Sequence, residues 1–520
     1  MAPVEPDVNN SNAIPIITLT SQALSIGALL VYIFAKLRVA SKALPPSQDT
    51  RSRIPQRRRD ITILAGLALL SFLIVSHFAL SSRTISYQEW AQKSKEPIPN
   101  SLWSGWYGGT NGITGGLQLG RWFQDVNILS DGFQVAVARS RGFWWTQQQF
   151  TGLLGWSIFV GVEGRRRHLP KTLTFAFVLL GQLVGLSIAQ NLFYIGLLLT
   201  PVPFSSTSQR SSLWTPHPGV YIAPIIASLV LLDVLPNYAN DLNVIRTLMV
   251  GFFILPQVFA IGIHLAPARF GTTHRDPRIA HRSFTSVFYW FAIASFLLHA
   301  KHTVTAIIDN TPESTHTTYY RVWSKLEHQE RTTYERSRTA VVRLLNALSD
   351  HPAVSVIGWD VLLSALSYSV WAIVRGLDVF DMLKCSAVPF ITTPNDKEDS
   401  HHVHFKNEND EEEPVITSTP PISPKRTARG RPRKSSTASN DGKRSTRSRK
   451  SFEHEEDEGE AYVPPSGTSE ELASTTHGES HTEEALVEEA EGAALAWGLF
   501  VLGGLGVASA GVLGAEVRGR

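Results

Sequence analysis

The chain has one cysteine, Cys385, among its 520 residues. A single thiol excludes an internal disulfide framework and a cysteine-cluster metal site. Familiar catalytic signatures are lacking too: there is no HExxH and no GxSxG. No DDxxD-like aspartate-rich pair is present to hold magnesium and a diphosphate. The glycines of WSGWYGGTNGITGGLQLGRWFQD contain no GxxxxGK[ST] phosphate loop, and no dinucleotide fingerprint follows a strand. Residues 1–15 have no basic n-region and no small-residue cleavage site follows the first apolar run, so that run is expected to be a retained span. No metal and no other cofactor is expected.

What the chain has instead is long apolar runs. A membrane span needs about 20 mostly apolar residues, and nine candidates occur, at 16–36, 61–80, 143–162, 174–200, 219–236, 244–265, 283–300, 354–374 and 492–515. The run at 219–236 is short and carries Pro224, Asp233 and Pro236. Backbone groups in lipid must be paired within the segment, which makes every run a helix. The expected fold is all-α, a polytopic transmembrane bundle of seven to nine spans. Residues 1–80 hold two N-terminal spans with a basic loop, 81–142 a Gly/Trp-rich extramembrane loop, and 143–375 the core bundle. Residues 376–487 form a charged tail with the basic segment GRPRK, and 488–520 a C-terminal candidate span. The expected location is a membrane.

Orientation follows from Lys and Arg in short loops. The loop from Lys36 to Asp60, with Arg51, Arg53 and Arg57 to Arg59, is placed in the cytoplasm, and so is the loop opened by Arg165, Arg166 and Arg167. Counting spans also puts 301–353 inside, whereas Arg269, Arg275, Arg278, Arg282 and the basic tail fall outside, against the rule. The tail has few aromatics and cannot bury enough apolar surface to offset its ordering entropy, so disorder is expected. Its Arg429-Gly430-Arg431-Pro432 resembles an AT-hook, but a polybasic segment beside a membrane serves anionic lipid equally. The lipid bilayer, not nucleic acid, is the expected partner. His401, His402 and His404 offer metal donors without an ordered surrounding shell. Trp103, Trp106, Tyr107 and Trp122 read either as a cap over the membrane surface or as an interfacial aromatic belt.

Ionisable residues inside spans are costly and mark functional candidates. Three stand out: Glu163, followed by three arginines; Asp233, at a span end; and Asp360, nearly two turns into its span and next to Trp359. Each has a structural alternative, an interfacial ion pair, a cap and an internal hydrogen-bond partner respectively. Amides add to the polar content. Gln147, Gln148 and Gln149 open one span, and Gln182, Gln190 and Asn191 lie in another, where a continuous helix would put Gln182 and Gln190 on one face. Amides between helices also serve as packing glue. Together with Trp144, Trp145, Trp156 and Trp359 they outline a polar, aromatic-lined cavity with one or two carboxyls. Such a cavity suits protonation of an epoxide or alkene by a carboxyl acid, with aromatic faces stabilising the carbocation.

The stretches FWWTQQQF…GWSIFVGVEGRRR, FVLLGQLVGLSIAQNLFYIGLLLTPVP and VSVIGWDVLLSALSYSVWA resemble the polytopic membrane-bound terpene cyclases of fungal meroterpenoid clusters. They are also similar to related integral membrane proteins of indole-diterpene clusters. The resemblance covers residues 100–375. It implies metal-independent cyclisation of a prenylated, often epoxidised precursor in the endoplasmic reticulum or another internal membrane. It carries over no established acid, so Asp360, Glu163 and Asp233 stand as catalytic candidates on chemistry alone. Trp144, Trp145, Gln149, Trp156, Gln190, Asn191 and Trp359 stand as substrate-binding candidates. A membrane transporter using the same cavity for passage, and a non-catalytic membrane protein working through its tail, are the alternatives.

Overall fold

The computed structural model describes residues 13–43, 53–95, 119–126, 128–200, 214–266, 268–274, 277–320, 325–386 and 480–518. Most of the expected disordered tail lies outside these residues. So do Arg429 to Pro432, His401, His402, His404, Trp103, Trp106 and Tyr107.

The helices run in chain order as α1 (Ala13–Lys42), α2 (Arg53–Ser94), α3 (Leu119–Asp125), α4 (Ile128–Ala138), α5 (Ser140–Arg166), α6 (Lys171–Leu183), α7 (Leu186–Leu199), α8 (Gly219–Val234), α9 (Leu242–Leu265), α10 (Pro277–Asn310), α11 (Thr333–Leu345), α12 (Pro352–Arg375), α13 (Val379–Ser386) and α14 (Ser480–Arg518). Two short antiparallel pairs depart from the all-α expectation: β1 (Trp214–Pro216) with β2 (Gly271–Thr273), and β3 (Thr315–Tyr320) with β4 (Lys325–Glu330). Helix α2 continues past the expected span, and α3, α4 and α13 occupy residues read as loop or tail.

Seven helices, α1, α2, α8, α9, α10, α12 and α14, are long and apolar enough to cross a membrane, which suggests a membrane protein. The polar opening of α5 keeps it out of that set. Yet α5 has 27 residues and runs parallel to α12, with Gly142 against Val354, Trp145 against Gly358 and Gln149 against Asp360. Helix α10 runs antiparallel to both, with Trp144 bonded to Thr303 and Gly155 packed on Phe291. The bundle therefore has a His351 end, where α5 and α12 begin, and an Arg375 end, where they finish.

Two expected spans do not cross it. The run 174–200 is broken at Val184 and Gly185 into α6 and α7. At the Arg375 end Thr174 lies against Gly164, and Arg167 donates to the Leu197 and Thr200 carbonyls. Residues 171–199 are thus a helical hairpin with both ends at one end of the bundle. Because of the break, Gln182 and Gln190 do not share a face. Gln182 reaches α9, donating to the Phe253 carbonyl and accepting from Gln257, each at 2.9 Å.

The C-terminal run 492–515 behaves in the same way. Gly504 interrupts α14 with φ 74 and ψ 178, a conformation that glycine alone adopts readily. Residues 499 and 511 would be about 18 Å apart in a straight helix, 12 residues at 1.5 Å each. Instead a Cβ on Gly511 would sit 2.6 Å from Leu499 Cδ1. The first limb starts beside Ala372 and Leu377, and the second finishes with Glu516 paired to Arg375 and Arg518 paired to Asp381. Both limbs stand at the Arg375 end, so the second hairpin rises only part-way, and it is among the best-buried parts of the molecule.

The hairpins also change which loops share an end. Leu37 packs near Gly196, Arg165 lies over the Trp214 ring at 3.9 Å, and α10 starts beside β2, so all of these lie at the Arg375 end. Arg269 thereby joins Arg165 to Arg167. Asn310, Arg336, Arg343 and Asp350 lie at the opposite end from them, contrary to the expectation that both share a side, because a hairpin crosses nothing.

Candidate polar seam at the hairpin tips

Asp360 is fully buried and accepts four hydrogen bonds. Its Oδ2 accepts from Gln149 Nε2 and Leu186 N, both at 2.8 Å. Its Oδ1 accepts from Ser187 N at 3.0 Å and Ser187 Oγ at 2.7 Å. Leu186 and Ser187 are the first residues of α7, whose opening N–H groups have no partner within the helix. Asp360 thus caps α7 from another helix and places a carboxylate at the positive end of its dipole. The approach is close: a Cβ on Gly185 would meet Asp360 Oδ1 at 3.0 Å. This geometry favours anchoring the first hairpin over donating a proton.

Beyond the cap, two polar stripes face each other. On α7, Ser187, Gln190, Asn191 and Tyr194 recur at helical spacing; on α12, Asp360, Ser364, Ser367, Tyr368 and Trp371 do the same. All nine are buried. Asn191 Nδ2 donates to Ser367 Oγ at 2.8 Å, and Tyr194 stacks on Trp371 with ring centroids 4.3 Å apart. The Tyr368 hydroxyl lies beside Gln190 and Ser509 without closing a well-aligned bond to either. Both amide atoms of Gln190 are without a protein partner, as are Asn191 Oδ1, Tyr194 Oη, Ser364 Oγ, Tyr368 Oη and Trp371 Nε1. Buried polar atoms are normally satisfied, and each orphan costs about 1–3 kcal/mol. So dense a row leaves hydrogen-bonding capacity that water or a hydrogen-bonding ligand could meet.

The second hairpin closes the seam. Leu505 at its tip and Leu186 at the tip of the first both press on Gly152 of α5. Gly504 lies against the His299 ring, where a Cβ would come within 2.8 Å of Nδ1. His299 Nδ1 in turn meets Gln147 Nε2 at 2.7 Å.

The other sequence candidates separate. Glu163 is buried in ion pairs with Arg166 and Arg167. Asp233 pairs with Lys301 at 2.6 Å, and His302 Nε2 lies 3.2 Å from it. Trp144 bonds Thr303, Trp145 packs on Gly358, and Trp156 sits between Gly181 and Phe193. Trp359 turns outward onto Phe78 and is 37% exposed. Gln149, Gln190, Asn191 and Asp360 meet at the seam; the four tryptophans do not form one wall. Ser187, Tyr194, Ser364, Ser367, Tyr368, Trp371 and Ser509 were missed. The α12 set was visible as a polar stripe at three- and four-residue spacing, while Ser509 carried no such signal.

At the His351 end a cavity of about 970 Å³ opens above Gly142 and Val354, with Glu89, Lys93, Asp125, Arg139, Asp350 and His351 in its wall. Arg141 pairs with Asp350 across 2.8 Å, and Trp90 donates to Asp125 at 2.9 Å. Among the described residues no three His, Cys, Asp or Glu gather as a metal site. Comparison with protein-family profiles, with curated proteins and with solved structures finds no match to this chain.

Proposed function

We propose that this is an integral membrane carrier for a small, uncharged, hydrogen-bonding solute, which passes along the seam between α7 and α12. The observation that carries the reading is the row of buried, partnerless polar atoms beside two interrupted helices. Non-helical backbone at membrane depth is tolerated where it is covered by protein or lines a watery path, and broken helices build many midplane transport sites. The seam offers donors and acceptors, and its two acidic groups are already engaged, Asp360 by four hydrogen bonds and Glu516 by Arg375. The cavity at the His351 end is the vestibule above it.

In this reading both hairpins are re-entrant. Lys36, Arg38, Lys42, Arg57 to Arg59 and Arg165 to Arg167 share the Arg375 end, which makes that end cytoplasmic. Arg269 and the two junctions of the basic tail then fall on the cytoplasmic side, while Arg331, Arg336, Arg338 and Arg343 move to the opposite side. The cyclase suggested by the sequence resemblance needs a carboxyl proton at this depth, and Asp360 is occupied as an acceptor.

The test is reconstitution of the full chain into vesicles, with solute entry followed by light scattering after an osmotic step with urea, glycerol or a larger polyol. Entry of at least one of these above the protein-free rate is expected, with loss in Gln190→Leu and Tyr368→Phe. No entry of any solute, together with a cyclised terpenoid from cells supplying a prenylated precursor, overturns the carrier in favour of the cyclase.

A further inference from the structure

A second cavity, of about 630 Å³, lies between α1, α2 and α7. Its wall is almost wholly apolar: Leu30, Phe34, Ala65, Phe72, Ile188 and Leu199 mark its length. It follows α7 from Ile188, beside the Asp360-capped tip, down to Leu199 at the Arg375 end. That is about 17 Å, 11 residues at 1.5 Å each, the reach of a chain entering from the bilayer surface. At the mouth the wall becomes polar, with Arg38 and Ser41. Arg38 is exposed and forms no ion pair among the described residues, and exposed Lys42 and Arg58 lie on the same two helices.

We propose that this groove holds one acyl chain of an anionic phospholipid, with the phosphate on Arg38. The charge pattern selects the occupant. An apolar slot open to the bilayer takes a hydrocarbon chain, and Arg38 at its surface end, with Lys42 and Arg58 on the same helices, favours a lipid with net negative charge over a zwitterion. The chain lies against Ile188, Leu192 and Ile195, on the side of α7 away from the polar stripe. It therefore supports the first hairpin from outside while the seam is used from within. This inference does not depend on what the seam carries.

The experiment is native mass spectrometry of the delipidated full chain, titrated with phosphatidylglycerol or phosphatidylcholine of matched acyl chains. Preferential retention of one phosphatidylglycerol is expected. Arg38→Gln should weaken it about fivefold and bring it close to phosphatidylcholine, the effect of one cation beside an anionic headgroup. Ala65→Phe, at an exposed position in the groove wall, should block retention of both lipids without unfolding the bundle. Equal retention of the two lipids by the unaltered chain overturns the proposal, as does retention that Ala65→Phe leaves intact. The water-soluble headgroup analogue glycerol phosphate should not compete. If it competes fully, the site binds free phosphate and the apolar groove is not part of it.

Discussion

The two hairpins have the same outline and are held by opposite means. The first has bulky limbs, with Phe177, Phe193 and Tyr194 in its packing, and its tip is fixed by one carboxylate that accepts four hydrogen bonds. The second has limbs rich in glycine and alanine, no charge at its tip, and a backbone pressed directly on its neighbours. Its charges lie at the base, where Glu516 meets Arg375 and Arg518 meets Asp381. One tip is secured by polar chemistry at a point, the other by close fit along its length. They should therefore fail under different substitutions.

The largest effect is expected at Asp360. Asp360→Ala orphans Leu186 N, Ser187 N, Ser187 Oγ and Gln149 Nε2, and two or more lost buried bonds amount to at least about 3 kcal/mol. A marked fall in the thermal midpoint of the purified protein should follow. Asp360→Asn keeps one acceptor oxygen and should lose about half as much. The outcome that would instead identify Asp360 as an acid is an Asn variant of unchanged stability that accumulates normally and fails to cyclise a precursor.

A smaller loss, about 1–3 kcal/mol from forcing a side chain into a glycine-only conformation, is expected for Gly504→Ala, where His299 also leaves no room. Cys385 supplies the readout. It is buried on α13 against Gly514 of the second hairpin, and burial pushes its thiol up to about 12. A raised value means that the neutral thiol dominates throughout physiological pH, so reaction with maleimide at pH 7 should be slow in the native protein. It should accelerate when Gly504→Ala loosens the hairpin. Equal rates in the two proteins would show that the tip does not control docking. Asp360→Asn should leave Cys385 protected, which separates the two anchors in one assay.

The smallest effect belongs to Arg518→Gln. Both partners of that ion pair are about a quarter exposed, and such pairs contribute about 0–1 kcal/mol. A thermal midpoint shift within a degree or two is expected. A large one would mean that the base, not the tip, holds the second hairpin.

Much of this architecture was legible in the sequence and some was not. Apolar runs gave the helices, and Asp360 stood out because a carboxyl nearly two turns into an apolar helix demands a partner. The partner could not be found from local pattern, since Leu186 lies 174 positions away. The break before it was hidden as well: GQLVGLS has no proline and reads as one continuous apolar run. The bend at Gly504 was masked by its neighbours, because Gly498, Gly503, Gly506, Gly511 and Gly514 offer equally permissive backbone. Without those two breaks each run reads as a single straight span, which is the upper end of the seven to nine expected.

The second hairpin has a consequence for biosynthesis. Its residues emerge from the ribosome after every helix it packs against, including α5, α10, α12 and α13. Until then the nascent bundle contains an open slot floored by Thr151, Gly152, Gly155 and Ser295, surfaces shaped for another backbone and not for lipid. Because both limbs begin and end at the same face, filling the slot requires no polypeptide to be translocated. The hairpin can dock after the last crossing helix has left the insertion machinery. Final closure of this protein is then expected to be a late packing step, and molecules that lack it should carry that vacant groove.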